Sequence, residues 1–467
     1  MPITNTGAPP RSVAIVVPAG VLGAGVIADQ VERGLATGAS AIAIDAGSTD
    51  SGPAYLATAT SKMSRDAIRR DLRILMAARQ KWDVPLLIGS CGTCGADAAV
   101  DWTAAIVAEL AAELGQSPRV VRLYSEQSAD RLNAKVASGQ TRPLAPMGPL
   151  AETTLDACDH IVALMGHEPF SRAVHDGAEI VLGGRTTDTA VIAAVPLLMG
   201  CPPGPAWHAG KIAECGALCT VDPMRGGVLI RVDADGFEVE PLALDNRCTP
   251  YTVSAHMLYE NADPFRLTEP AGVLDVTEAT YVAIDDRTVR VEGSRFEEAD
   301  TYTMKLEGAG GGPFQTLMLI GIADPKVLAA LDLWMSRLET ALHQRIADNI
   351  EDPGPYTLSL RAYGSNALTG LPPNADAPAP REAGVLFVAS ASTQDMATRI
   401  AKLCNPWFFH FPLEPGSELP SYGFPFSPAE IERGQAYVFH LNHVVETTGP
   451  FELVRRVDWD DIAEAAA

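Results

Sequence analysis

Short hydrophobic runs alternate with helical patterns through the first half of the chain. Four of these runs, at residues 40–44, 84–88, 120–123 and 179–182, each end at a tip rich in Gly, Ser, Thr, Asp or Arg. Runs this short, bounded by turn residues, are typical of strands buried on both faces of a parallel sheet. Ligands bind at the carboxyl ends of such strands, so the four tips predict one common binding site.

The segments between the runs predict helices that pack on this sheet. After Ser64, a predicted N-cap, Ile68, Leu72, Leu75 and Met76 form an apolar stripe with helical spacing. Further helical patterns cover residues 26–35, 100–114, 155–174 and 189–199. Strands that alternate with helices predict right-handed crossovers and helices on both sides of a sheet. Residues 1–225 are therefore predicted to form a large, doubly wound α/β domain with a mainly parallel sheet.

The pattern changes to antiparallel hairpins after about residue 225. Residues 227–232 and 237–241 flank an Asp-Gly turn, and the pair 281–284 and 288–292 flanks an acidic turn. A third pair is predicted from residues 302–306 and 315–322, followed by a helix over 325–350. The expected middle segment, 226–370, is a mixed α+β region that packs on the first domain.

A Pro-rich stretch at residues 371–380 predicts a linker. Beyond it, strand patterns at 384–390 and 435–446 enclose a helical pattern at 394–403. Residues 381–467 are therefore predicted to form a small α+β cap domain.

Composition and charge narrow the class of protein. The chain has 467 residues, 47% of them hydrophobic, which is enough for a large buried core. Its formal charge of -23 disfavours nucleic acid and anionic membranes as partners. No basic, apolar leader and no membrane-length apolar run is evident. We expect a cytoplasmic homo-oligomer, with the eight cysteines as reduced thiols.

The first tip combines carboxylates and hydroxyls. Asp45, Ser48, Thr49 and Asp50 lie on a turn that contains glycine. Such groups can hydrogen-bond a hydroxylated substrate or hold a divalent cation. The alternative is a turn that satisfies only its own backbone. The occurrence of four similar tips favours substrate binding.

The second and third tips add hydroxyl, thiol and carboxylate groups, at Ser90, Cys91, Asp97, Tyr124 and Glu126. Cys91 and Cys94 form a C-x-x-C pair, which is compatible with redox chemistry, half of a zinc site or two small buried residues. For this pair we favour a thiol at the floor of the pocket over a metal site or a disulfide. In the fourth tip, Arg185 and Asp188 precede a helix, where a guanidinium can hold a carboxylate or phosphate. The alternative is an ordinary ion pair of Arg185 with Asp188 or Glu179.

Residues 207–216 form the most specific local pattern. If they are helical, His208, Lys211 and Cys215 lie within about 60° of one another around the axis. An imidazole, an ammonium and a thiol on one face can stabilise an oxyanion or move a proton. The alternative is a helix packed through its apolar residues, with Lys211 reaching water.

Downstream segments supply further candidates for substrate binding, namely Arg247, His256, Lys305 and Glu307. Lys305 and Glu307 point to the same face of a predicted strand and can line a cleft or form an ordinary ion pair. Residues 20–25 follow the first predicted strand but lack the G-x-G-x-x-G spacing, which disfavours a nicotinamide cofactor. No cofactor is predicted, and a divalent cation is left open as an alternative.

Several segments, in one order, resemble the acyclic terpene utilisation AtuA family. They are Asp-Ala-Gly-Ser-Thr-Asp-Ser-Gly-Pro at 45–53, Gly-Gly-Arg-Thr-Thr-Asp at 183–188, Lys-Ile-Ala-Glu-Cys-Gly-Ala at 211–217, Arg-Cys-Thr-Pro at 247–250, Ala-His-Met-Leu-Tyr-Glu at 255–260 and Lys-Leu-Glu-Gly-Ala at 305–309. The resemblance runs from about residue 12 to 325 and more loosely to the end. Residues 89–97 resemble the family's Gly- and Ser-rich turn before an Asp, although Cys94 stands where we expect a smaller residue.

The resemblance implies a cytoplasmic catabolic protein that acts where branched terpenoid acids are degraded through acyl-CoA intermediates. We expect a C–C or C–O lyase for a hydroxylated carboxylic acid or acyl-CoA. In this hypothesis Arg185 holds a carboxylate, Asp50 or Asp97 accepts a proton, and Lys211 with His208 stabilises an enolate-like charge. Two alternatives remain open: a hydrolase with Cys215 as nucleophile and His208 as base, and a non-catalytic acyl-binding subunit.

Overall fold

A computed structural model describes residues 12–371, 379–419 and 422–458. These residues form two compact units. The first unit contains the described residues up to Gly310 and from Phe439 onward, and the second contains Gly311–Val438. The three domains expected from the sequence, 1–225, 226–370 and 381–467, stay a prediction. Most of the expected linker, residues 372–378, lies outside the described residues.

The described residues contain strands and helices in alternation through the first half and mostly strands afterwards. The strands are β1 (Val13–Val17), β2 (Ala41–Asp45), β3 (Leu86–Gly89), β4 (Val120–Tyr124), β5 (Thr141–Pro143), β6 (His160–Ala163), β7 (Ile180–Gly183), β8 (Val228–Val232), β9 (Gly236–Pro241), β10 (Arg266–Glu269), β11 (Gly272–Asp275), β12 (Thr280–Ala283), β13 (Val289–Glu292), β14 (Arg295–Glu298), β15 (Tyr302–Ile322), β16 (Tyr356–Tyr363), β17 (Ala383–Ala391), β18 (Tyr422–Gly423), β19 (Ile431–Thr447) and β20 (Arg455–Asp458). The α-helices are α1 (Ala28–Ala36), α2 (Pro53–Ala57), α3 (Arg65–Trp82), α4 (Asp97–Leu114), α5 (Ala129–Ala137), α6 (Glu152–Asp156), α7 (Glu168–His175), α8 (Asp188–Leu198), α9 (Pro203–Ala213), α10 (Pro250–His256), α11 (Pro325–Ala329), α12 (Leu331–Asn349) and α13 (Gln394–His410).

A large mixed sheet forms the centre of the first unit. Its ten strands follow the order β12-β13-β9-β8-β1-β2-β3-β7-β4-β20. The four pairings from β1 to β4 are parallel, as expected for the runs that end at the polar tips. The other five are antiparallel. The α/β class is confirmed, but the sheet is mixed; the doubly wound description and the small C-terminal domain stay predictions.

Alternating side chains explain why the central strands are buried on both faces. In β1, Val13, Ile15 and Val17 belong to one hydrophobic cluster, whereas Ala14 and Val16 belong to another. Successive side chains of a strand point to opposite faces, so both faces of the sheet are covered by apolar groups.

Local sequence signals also position the helices and hairpins. The hydroxyl of Ser64 accepts a hydrogen bond from the amide of Ala67 at 3.3 Å and caps α3, as predicted. The predicted hairpins β8–β9 and β12–β13 are both antiparallel pairs.

Three sequence predictions were wrong in detail. The helix predicted over 155–174 is interrupted by β6, because this segment pairs with β15. The third predicted hairpin is one continuous strand, β15. A Cβ at Gly310 would lie 2.1 Å from the carbonyl oxygen of Ala157, so a glycine there allows close backbone approach rather than a turn. The helix predicted over 325–350 is divided into α11 and α12.

The second unit has its own core. In it, β17 pairs antiparallel with β16 and with part of β15. Its hydrophobic cluster includes the buried side chains of Trp334 and Phe387. In the described part of the chain, no helix combines the length and apolar character needed to cross a membrane. The cytoplasmic location stays a prediction.

Candidate active site

A cavity of about 530 Å³ lies in the first unit, beside the carboxyl end of β2. Five of the residues predicted to form the site line it: Asp45, Ser48, Asp50, Asp188 and Cys215. Asp45 is the last residue of β2, and Asp188 is the first residue of α8, which follows β7. The cavity therefore lies where parallel-sheet proteins bind their ligands.

The first tip is held in place by its own side chains. The Oδ2 of Asp45 accepts a hydrogen bond from the amide of Gly47 at 2.7 Å. The hydroxyl of Ser48 accepts from the amide of Asp50 and donates to its carboxylate. Thr49 is buried. The tip thus satisfies part of its own backbone and still presents Ser48 and Asp50 to the cavity.

Asp45 also has an oxygen without a partner. Its side chain is only 5% exposed, and Oδ1 has no hydrogen bond within the described residues. Desolvation by burial, followed by the nearby charge of Asp188, raises the pKa of Asp45 well above its usual range. The carboxyl of Asp45 is therefore disposed to hold a proton.

Asp188 lies in a different environment. Its carboxylate is 3.3 Å from the guanidinium of Arg185, and its side chain is 27% exposed. Burial raises the pKa of Asp188, and the charge of Arg185 offsets only part of this rise. Because Asp188 has a cationic partner, it is the better candidate of the two for the ionised form.

Arg185 lies in a buried polar network behind the cavity. Its guanidinium donates to Glu307 at 3.0 Å, to the hydroxyl of Ser90 at 3.2 Å and to the carbonyl of Thr186. Lys305 donates to the other carboxylate oxygen of Glu307 at 2.7 Å. Burial opposes ionisation of Glu307, but the two cations outweigh it and hold its pKa at about 2. In this arrangement Arg185 acts on the cavity through Asp188.

A second polar cluster borders the cavity after α9. Lys211 is buried, and its ammonium donates to Glu214 and to the carbonyl of Tyr259. Burial alone would lower the pKa of Lys211, but the carboxylate of Glu214 raises it. Glu214 and Cys215 both line the cavity.

His256 belongs to the same cluster. It ends α10, which starts at a capping box between Thr249 and Thr252. Burial and the adjacent ammonium of Lys211 lower the pKa of His256 to about 4, so its ring is neutral near pH 7. A carboxylate oxygen of Glu214, the Sγ of Cys215 and a ring nitrogen of His256 all lie within 4.8 Å of one another.

The predicted common face of His208, Lys211 and Cys215 is not formed. The helix ends at Ala213, so Cys215 lies beyond its last turn. His208 is buried; its Nδ1 is 2.7 Å from the hydroxyl of Ser294, and its Nε2 is 3.2 Å from that of Tyr281. Burial lowers the pKa of His208 to about 3. His208 is not among the residues that line the cavity.

Asp97, Tyr124 and Glu126 form a separate group at the end of β4. The Oε2 of Glu126 accepts from the amide of Asp97 at 2.7 Å, and its other oxygen is 2.6 Å from the Nδ1 of His160. Arg455 pairs with Asp97 and lies over the ring of Tyr124. Asp97 and Glu126 line a different pocket from Asp50.

The remaining candidates lie outside the cavity lining. Cys91 is fully buried in a hydrophobic cluster, and burial raises the pKa values of the Cys91 and Cys94 thiols. Arg247 is exposed, and its amide donates to the side chain of Asn246. These positions favour packing for Cys91 and a surface location for Arg247.

The cavity-lining residues that sequence reasoning missed include Lys62, Thr93 and Glu214. Glu214 follows Lys211 by three positions, a spacing that is typical of an ion pair and was a usable signal. Thr93 adopts a φ of 80°, and its hydroxyl accepts from the amide of Lys62. A positive φ at a residue other than glycine cannot be read from the sequence, but it is common at functional sites.

Comparison with known proteins agrees with the motifs. Neither the curated proteins nor the solved structures include a match to this chain. Residues 87–413, well over half of the chain, match the family described as "Acyclic terpene utilisation family protein AtuA". The chain therefore belongs to the acyclic terpene utilisation family.

Proposed function

We propose that this protein is a lyase that cleaves or dehydrates a hydroxylated, branched carboxylic acid or its acyl-CoA thioester. Family membership suggests a catabolic, enzymatic role in acyclic terpene utilisation. The lyase chemistry rests on one observation: Asp45 and Asp188 line the same cavity, burial raises the pKa of both, and Asp188 alone has a guanidinium at 3.3 Å to stabilise its ionised form. Pairs of carboxyl groups whose surroundings separate their pKa values serve as acid and base.

The two carboxyl groups divide the proton transfers between them. Asp188, which is paired with Arg185, accepts a proton from the substrate. Asp45, which is buried and has one oxygen without a hydrogen-bond partner among the described residues, donates a proton to the departing group. General acid–base catalysis of this kind contributes about 10²–10⁴-fold to a rate. The sequence left Asp50 or Asp97 as the base. Asp97 lines a different pocket, and Asp50 is exposed and makes its side-chain contact with Ser48, so Asp188 is the better candidate.

The cavity suits a substrate with polar and apolar parts. Besides its carboxylates, it is lined by Met63, Leu218 and Met224, which can pack against a branched hydrocarbon chain. A volume of about 530 Å³ lies within the usual range for small-molecule sites, roughly 300–1,000 Å³. The acyl part of the substrate therefore has an apolar surface close to the acid–base pair.

The cysteine hydrolase alternative is less well supported. It requires a thiolate at Cys215 and a base beside it, but burial and the charge of Glu214 raise the pKa of that thiol. His208, its expected base, is engaged by Ser294 and Tyr281. The acyl-binding subunit, the homo-oligomer, and the exclusion of nucleic acid and membranes as partners stay predictions.

Incubation of the purified protein with hydroxylated branched acids and their CoA thioesters, followed by mass spectrometry, tests the proposal. A lyase yields two fragments or loss of water, and the matched Asp188→Asn variant forms these products at least about 10²-fold more slowly. The exposed Asp130→Asn variant serves as a control and should retain activity. Release of free CoA with an intact acid would indicate a hydrolase, and unchanged retention of a compound would indicate a binding subunit; either result rejects the lyase.

A further inference from the structure

We propose that Glu214, Cys215 and His256 bind one divalent transition-metal ion, with Zn²⁺ as the preferred ion. The group offers a carboxylate, a thiol and an imidazole, the three ligand types that zinc uses in proteins. Mg²⁺ and Ca²⁺ prefer all-oxygen sites, so a sulfur and a nitrogen ligand select against them.

The geometry requires only a small adjustment. The three ligand atoms lie within 4.8 Å of one another. Around a tetrahedral zinc ion with bonds of about 2.0–2.3 Å, ligand atoms are roughly 3.3–3.8 Å apart. Each pair therefore needs to close by about 1.5 Å at most, which side-chain rotation can supply.

An unpartnered nitrogen points independently to a ligand. His256 is only 5% exposed, and its Nε2 is buried without a hydrogen-bond partner among the described residues. Buried polar atoms are nearly always satisfied by protein, water or an ion. A metal ion between His256, Glu214 and Cys215 would satisfy this nitrogen.

Neighbouring groups orient the ligands. Glu214 accepts hydrogen bonds from Lys211 and, at 3.3 Å, from the hydroxyl of Thr189. The ring of Tyr259 stacks on His256 with centroids 5.6 Å apart. Hydrogen bonds and packing contacts of this kind, made to the ligating side chains by their neighbours, fix ligand orientation and are a common feature of metal sites. With the thiol deprotonated by coordination, Glu214 and Cys215 together balance the charge of the ion.

Three protein ligands leave one position open, as in catalytic zinc sites. Glu214 and Cys215 line the cavity, so this position is accessible to a bound molecule. The cavity is otherwise acidic, with Asp45, Asp50, Asp188, Glu214 and Glu260 against the ammonium of Lys62. The role of the ion in catalysis rests on the proposed lyase function. There, the ion would coordinate the hydroxyl or carbonyl oxygen of the substrate, an oxygen that the carboxylates alone would not attract.

Metal binding is tested without substrate, on full-length protein stripped with a chelator. Titration with Co²⁺ should give one equivalent bound, with sulfur-to-cobalt charge-transfer absorption, and Zn²⁺ but not Mg²⁺ should displace it. Cys215→Ser should abolish this absorption, and His256→Gln should weaken Co²⁺ binding at least about 10-fold, whereas Cys158→Ser and His343→Gln should match the parent. No Co²⁺ binding, or binding unchanged in Cys215→Ser and His256→Gln, overturns the inference.

A second measurement needs no variant. X-ray absorption of the parent protein with one equivalent of Zn²⁺ should show one sulfur at about 2.3 Å. A shell of only oxygen and nitrogen contradicts the site. Because neither experiment uses turnover, a protein that is active but binds no metal would reject this inference and leave the lyase standing. A protein that binds the ion but transforms no substrate would reject the lyase and leave the metal site standing.

Discussion

Arg185 and Glu307 form an ion pair that is buried on both sides, with 3.0 Å between Nε and Oε2. The two residues are 122 positions apart in the chain. The pair joins the tip after β7 to β15, and the same guanidinium holds Asp188. The charge that sets the ionisation of Asp188 is thus anchored to a distant strand.

Removal of the Glu307 charge should destabilise the fold. We expect Glu307→Gln to lower the free energy of unfolding by about 3 kcal/mol, because one partner of a buried pair is left less compensated. Urea unfolding of parent and variant measures the difference. Glu297→Gln is the matched control, since its pair with Arg266 is exposed and should be worth less than about 1 kcal/mol. Equal losses in the two variants would contradict the structural role of the buried pair.

His208 should make stability depend on pH. Burial lowers its pKa from 6.5 to about 3, so the unfolded chain binds a proton at a higher pH than the folded chain does. This contribution to stability is complete above pH 6.5 and is lost progressively as the pH falls from 6.5 towards 3. In His208→Gln the slope of the unfolding free energy between these pH values should be smaller, whereas the exposed His343→Gln should keep the parental slope. A parental slope in His208→Gln would refute the assignment.

The acid–base pair should be visible in the pH dependence of turnover. Once a substrate is identified, we expect Asp188→Asn to reduce kcat by about 10²–10⁴-fold and to remove the low-pH limb of the profile, because the base is lost. Asp45→Asn should remove the high-pH limb, because the acid is lost. A full bell-shaped profile in both variants would exclude the pair as the source of the two limbs. Circular dichroism of each variant checks that the fold is retained.

Replacement of Gly216, the residue that follows Cys215, should destabilise the fold. It has a φ of +59°, and a Cβ there would lie 2.6 Å from the amide nitrogen of Gly20. We expect Gly216→Ala to lower the melting temperature more than Gly38→Ala, which also has a positive φ but has open space around it. The control variant should lose only about 1–2 kcal/mol, the cost of the left-handed backbone. Equal decreases in melting temperature in the two variants would mean that the backbone can shift to relieve the close contact between residue 216 and Gly20.

The sequence predicted the strand ends well but not their order in the sheet. Tips after β2, β3, β4 and β7 were expected at one edge, and these strands are parallel neighbours. However, β7 lies between β3 and β4, so β2 and β4 are three spacings apart, about 14 Å. For this reason Asp45 and Asp50 line one cavity while Glu126 lies at another. A single sequence contains no signal for this order.

The cluster around Cys215 shows a different limit of prediction from sequence. Helical spacing placed His208, Lys211 and Cys215 on one face, but the helix ends at Ala213. The useful neighbours of Lys211 are Glu214 and His256, and the latter comes from α10. A local period can predict which residues share a helix face only as far as the helix continues, and contacts between distant segments depend on tertiary packing.

One edge of the large sheet depends on β20. This strand pairs with β4, and Arg455 reaches Asp97 across 358 positions of the chain. During synthesis on the ribosome, the backbone donors and acceptors on this edge of β4 stay unpaired until the distant β20 segment has been made. Unpaired edges of that kind invite pairing with other nascent chains. Truncation before Arg455 would therefore leave β4 as a permanent seed for aggregation, even though the cavity residues would all be present.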